Sequence, residues 1–210
     1  MASPWQAIRI DEIEPISVAG VHWHPLRRTL GIGAFGVNAY SGHTGEHVVE
    51  EHSEERLQHE EIYVVLSGSA RFTMDGEERD VAAGGMVFLS DPTVRRGAVA
   101  LEDGTRVLAV GGKPGEAYTP SAWEAYFMAD RHRATGDFEA MAAELEAALD
   151  EFPDHPGVIY CIACAKALAG RTDEALSSLR RSLELDPLQH DWATRDEDLV
   201  SLRGLPGSPI

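Results

Sequence analysis

A chain of 210 residues, 43% of them apolar, has room for one large domain or a medium domain and a small one, each with a packed core. Its 35 acidic and 18 basic side chains give a net charge of −17, which excludes the basic footprint that nucleic acid or an anionic membrane face requires. No apolar run approaches the ~20 residues of a membrane span, and MASPWQAIRIDEIEP turns acidic too early for a signal peptide, so a cytoplasmic protein is the expectation.

Taken in chain order, residues 1–112 read as antiparallel β structure: short apolar runs broken by turn residues. His22-Trp23-His24 alternates as a strand does and is expected to line a surface or a pocket. GIGAFGVNAY reads as a strand in which Asn38 and Tyr40 share a face. Its glycines do not form a phosphate loop, because no helix follows. His43 and His47 flank a turn and are expected to be exposed. The segment EEHSEERLQHEEIYVVLSG, Glu50 to Gly68, holds two histidines among carboxylates. His59, Glu61 and Tyr63 have the same strand parity. Asp75-Gly76 lies between ARFTM and EERDV, and Asp-Gly is the residue pair of a type I′ hairpin. GGMVFLS and TRVLAVGG add further strands.

From about residue 113 to 121 the composition is that of a linker, with Pro114, Gly115 and Pro120. Residues 122–210 read as helical, and Ser121 with Glu124 predicts a capping box at the first helix. Gly136 and Gly170 are 34 residues apart, as are Pro153 and Pro187, and Leu145 matches Leu179 in the same register. That period resembles the tetratricopeptide helix–turn–helix over residues 122–189, about two units. Thr194 and Glu197 predict a second capping box before a closing helix, DLVSLR. Cys161 and Cys164 fall inside a helix without βαβ context, so small packing residues are expected there rather than a redox pair.

The β half resembles the cupin family. The residues that carry the resemblance are Glu61-Ile-Tyr-Val-Val-Leu-Ser-Gly68, Asp75-Gly76 and Ala83-Gly-Gly-Met-Val-Phe-Leu89. The resemblance implies an α+β multidomain chain: a cupin-like double-stranded β-helix barrel in 1–112, a linker at 113–121, and a tetratricopeptide-like helical domain in 122–210. It also implies an interior metal on three histidines and one glutamate. Glu61 matches the glutamate, but no paired histidines stand four or five residues before it. His52 and Glu54 take that place only through a longer connection, and His59 is a substitute ligand. Arg95 stands where the last histidine belongs, and Ala83 where a proline does.

Two arrangements follow. A guanidinium cannot ligate a cation, so an inward Arg95 would pair with Glu61 and stand in for the metal, with no cofactor expected. Alternatively Arg95 points outward, and His52, His59 and Glu61 hold iron, manganese, nickel or zinc. The pocket residues in either case are Asn38, Tyr40, His52, His59, Glu61, Tyr63 and Arg95. Three functions correspond. One is a metal-free small-molecule-binding protein whose helical repeats serve protein interaction or oligomerisation. The second is a metal-dependent oxygenase, isomerase or lyase acting on a small organic acid. The third is an assembly role with a filled barrel.

Overall fold

The structure, a computed structural model, describes residues 6–210. The chain divides into two compact units, Met1–Pro120 and Ser121–Ile210.

The first unit is a curled sheet of ten strands: β1 Ile16–Val18, β2 Val21–His24, β3 Gly36–Gly42, β4 His47–His52, β5 Glu60–Ser67, β6 Ser69–Met74, β7 Glu77–Ala82, β8 Met86–Leu89, β9 Arg96–Ala100 and β10 Thr105–Gly112. A short helix, α1 Leu26–Leu30, follows β2. The strand order is β7-β6-β9-β4-β2-β3-β10-β5-β8, with β1 on β2. Consecutive strands β5 and β6 therefore lie in opposite halves of the path. The curl brings those halves face to face: the rings of Tyr63 and Phe72 are 5.8 Å apart. Backbone bonds from Gly84 to the Val65 carbonyl and from Val65 to the Gly85 carbonyl hook the β7–β8 turn onto β5 and nearly close the barrel.

Two glycine-dependent corners set this topology. Asp75 and Gly76 have φ of 49° and 87°, and Met74 pairs with Glu77, so the β6–β7 hairpin is the two-residue turn its sequence predicts. At Gly68 the chain passes from one half of the barrel to the other with φ of 68°. A Cβ there would lie 2.9 Å from the Thr105 Cα, so only glycine lets the two backbones pass.

The interior follows from strand parity. Trp23, Val65, Ala70, Phe72, Ala98 and Val107 are all nearly inaccessible to solvent. Outside the barrel, Ile13 and Leu26 cover Val37 and Ala39 of β3, so this strand is buried on both faces.

The second unit holds α2 Trp123–Asp130, α3 Phe138–Ala148, α4 Pro156–Leu168, α5 Thr172–Leu185, α6 His190–Ala193 and a closing 3-10 turn, Glu197–Leu202. Gly136 and Gly170 take the left-handed conformation ahead of α3 and α5. Leu145 and Leu179 are each fully buried, in separate apolar clusters. Neither predicted capping box forms. Ala122 is the N-cap of α2 and has no side-chain cap bond, while Ser121 uses its carbonyl to accept the Glu124 N–H. Before the closing turn the cap is Asp196, which accepts the Asp198 N–H, whereas Thr194 donates its hydroxyl to the Asp191 carbonyl. A capping box needs an extended N-cap residue. Here the residue before the first helical turn already has helical φ and ψ, which removes that geometry. No helix of the described residues is long and apolar enough to cross a membrane.

Candidate functional site

One face of β5 faces the barrel interior. Its partners across β10 and β3 fall in rows: Glu61 with Gly111 and Gly36, Tyr63 with Ala109 and Asn38, Val65 with Val107 and Tyr40. The two glycines beside Glu61 leave its side chain room, since a Cβ on Gly111 would lie 2.9 Å from the Glu61 Cγ. From the opposite half, β4 and β9 place His52 opposite Arg96, and Met74 of β6 continues that row. Curling the sheet brings the two sets together.

Glu61 is the hub. Its Oε2 accepts the Tyr63 hydroxyl at 2.7 Å, lies 3.1 Å from the Arg96 Nη2 and 3.7 Å from the His52 Nε2. Arg96 is fully buried and also donates from Nη1 to the Val94 carbonyl at 2.8 Å. The His52 Nδ1 is 2.8 Å from the Glu50 carbonyl, which only accepts, so Nδ1 carries the proton and Nε2 faces the carboxylates. Glu54, in the turn after β4, reaches back with one oxygen 3.7 Å from the His52 Nε2 and the other 3.3 Å from the His59 Nδ1. His52 is part-exposed, while Glu54 and Glu61 are nearly closed off from solvent.

The electrostatics divide the carboxylates. Burial would raise Glu61, but the contacts with His52 and Tyr63 and the Arg96 charge outweigh it and hold this carboxyl below its ordinary value. Burial and the Glu61 charge push Glu54 up to about 7. Glu50 is raised as well, mainly by burial. Burial opposes a charged His52, yet Glu61 and the Glu50 carbonyl raise its pKa. Burial lowers His59, and the Glu61 charge does not offset it. The Tyr63 hydroxyl is raised well above the usual phenol range, first by burial and then by Glu61.

The expected Arg95–Glu61 contact does not form. Arg95 lies on the outer face, 63% exposed, paired with Glu51 and hydrogen-bonded through its backbone N–H to Asp75. Its neighbour Arg96 makes the inward contact, because adjacent strand residues point to opposite faces. The signal was in the sequence: alternating back from the small residues Ala100 and Ala98 makes position 96 the inward one. Glu50 was missed although it lies two residues before His52, so alternation by itself would place the two on one face. Of the remaining expected residues, His52, Glu61 and Tyr63 meet directly, and His59 sits at the rim against Glu54. Asn38 and Tyr40 face the same interior from β3, in the rows of Tyr63 and Val65.

His52 Nε2 and one oxygen each of Glu54 and Glu61 lie within 4.8 Å of one another. They do not match the three-histidine, one-glutamate set the resemblance implies. One imidazole replaces three, and His59 stands outside the group. The Glu61 oxygen already receives a phenol, and a fixed cation lies beside it. A guanidinium at that distance repels a divalent ion.

The other polar clusters have structural partners. His24 bridges the Ile13 carbonyl and the Ser41 hydroxyl, and His22 meets Ser17. His43 and His47 are exposed. In α4, Cys161 and Cys164 are free thiols. Burial pushes Cys161 up to about 12 and raises Cys164 well above the usual thiol range, so neither is a reactive thiolate.

No family model matches the chain, and no curated protein matches it. Solved structures do resemble about half of it. A cupin protein from Bacteroides fragilis is 24% identical over 57% of this chain and 93% of its own, with a TM-score of 0.43. A sugar phosphate isomerase of the cupin superfamily from Silicibacter pomeroyi is 20% identical over 51% and 76%, with a TM-score of 0.42. A predicted oxalate decarboxylase from Thermotoga maritima is 21% identical over 51% and 99%, with a TM-score of 0.42. The first unit is a nearly closed β-barrel, and helices follow it.

Proposed function

We propose that the barrel binds a small organic molecule at the mouth formed by His52, Glu54, Glu61, Tyr63 and Arg96, without a resident metal. Asn38, Tyr40 and His59 complete its walls. The observation that carries this reading is the buried Arg96 guanidinium 3.1 Å from the Glu61 carboxylate. A cation that is part of the chain takes the charge-compensating place that a metal would otherwise hold.

The two helix pairs, α2–α3 and α4–α5, are on this reading tetratricopeptide-like units that dock a protein partner or a second copy of the chain. Supporting this, α3 and α5 begin at Phe138 and Thr172, in the same 34-residue register as the glycine and proline repeats. Leu188, Trp192 and Val200 are exposed apolar residues in this unit.

The test is metal content. Protein purified without chelator, then loaded anaerobically with iron, manganese, nickel or zinc and desalted, is expected to retain no stoichiometric ion. Arg96→His, which sets an imidazole opposite His52, is expected to gain one. A stoichiometric metal in the wild type that is lost in His52→Ala overturns the reading and favours the metal-dependent enzyme.

A further inference from the structure

The small-molecule reading leaves the chemistry of the ligand open, and the composition of the mouth narrows it. Three carboxyl groups, Glu50, Glu54 and Glu61, influence one another there through their charges. One guanidinium faces them: the Arg96 Nη2 lies 3.1 Å from Glu61, which also receives the Tyr63 hydroxyl, while Nε and Nη2 are themselves buried without a hydrogen-bond acceptor. Oε2 of Glu50 and Oε2 of Glu54 are both buried and accept no hydrogen bond. The imidazoles do not make up the deficit. His59 faces Glu54 but is held toward its neutral form by burial, and His52 is shared between Glu54 and Glu61 at 3.7 Å from each.

A buried acceptor without a donor costs about 1–3 kcal/mol, more when it is charged. An anionic ligand would add to the surplus of negative charge. A neutral polyol would supply donors and leave that charge uncompensated. A protonated amine supplies up to three N–H donors and one positive charge in the volume of a methyl group. Resting on the small-molecule reading, we infer that the ligand of this site presents a protonated amine to the Glu50 and Glu54 carboxylates. Arg96 neutralises Glu61, and the incoming ammonium neutralises the other side of the mouth.

The experiment is a thermal-shift and calorimetric comparison on the full chain. The probes are the chlorides of methylamine to butylamine and of short diamines, the sodium salts of acetate and succinate, and glycerol with sorbitol. Saturable stabilisation by amines is expected, weakened at least tenfold in Glu54→Gln and in Glu50→Gln and unchanged in Arg95→Ala. The glutamines keep shape and length, and the melting temperature of each free variant verifies its fold. Stabilisation by acids or polyols but not by amines overturns the amine assignment and leaves the binding reading standing. Amine binding that survives both glutamine variants places it on the acidic surface and overturns the inference. No stabilisation by any probe overturns both.

Discussion

Arg95 and Arg96 are adjacent, chemically identical and energetically unlike. Arg95 forms an exposed pair with Glu51, a kind of contact worth about 0–1 kcal/mol. Arg96 is the only guanidinium paired with Glu61 among the described ion pairs, and it is wholly buried. Removing one partner of a buried pair costs about 3–5 kcal/mol, because the other charge is left uncompensated. Arg96→Met is therefore expected to destabilise by that amount in urea unfolding and Arg95→Ala by less than about 0.5 kcal/mol. Equal effects would show that the inward contact does not hold in solution. Glu54 gives the pH dependence. Its folded value is raised to about 7, against roughly 4.3 for an unperturbed glutamate. The stability from its bound proton is complete below the unfolded value, declines as pH rises and is gone above about 7. Glu54→Gln removes that titration. The variant is expected to match the wild type near pH 4 and to exceed it by about 2–4 kcal/mol at pH 8. A difference that stays flat with pH would place this carboxyl in water.

At the scale of elements, the β5–β6 corner decides whether the site exists. Gly68 lets the chain leave one half of the barrel and enter the other, and this brings Tyr63 against Phe72. Gly68→Ala adds a Cβ 2.4 Å from the Thr105 Oγ1 at a positive φ, so strain and overlap act together. A loss of about 2–4 kcal/mol is expected in thermal or urea unfolding. Gly76→Ala, where nothing lies within 4 Å of the new Cβ, carries the φ penalty alone and costs less. The hairpin at Asp75-Gly76 was legible because a two-residue turn is a local matter, complete in its own φ angles. The α2 cap was not legible in the same way. Ser121 and Glu124 have the right identities, but the backbone enters the helix already wound, and no hydroxyl cap can form.

Across the whole molecule, composition and periodicity are properties of the chain alone, and they were enough to separate a β half from a helical half. The two compact units meet at 120–121. Strand alternation, the Asp-Gly turn, the glycine-ended strands and the 34-residue register needed no partner to be recognised, since each is written in neighbouring residues. Which arginine enters the barrel, and which carboxylates meet it, had to wait for tertiary structure. A single residue of register reverses the direction of every side chain on a strand, and the bulge in β4 displaces the count between Val49 and His52. The sequence by itself determined that acidic, imidazole and guanidinium groups would crowd one barrel. Only the folded sheet decided that the charge facing Glu61 belongs to Arg96, because that choice depends on strands 35 residues apart curling onto each other.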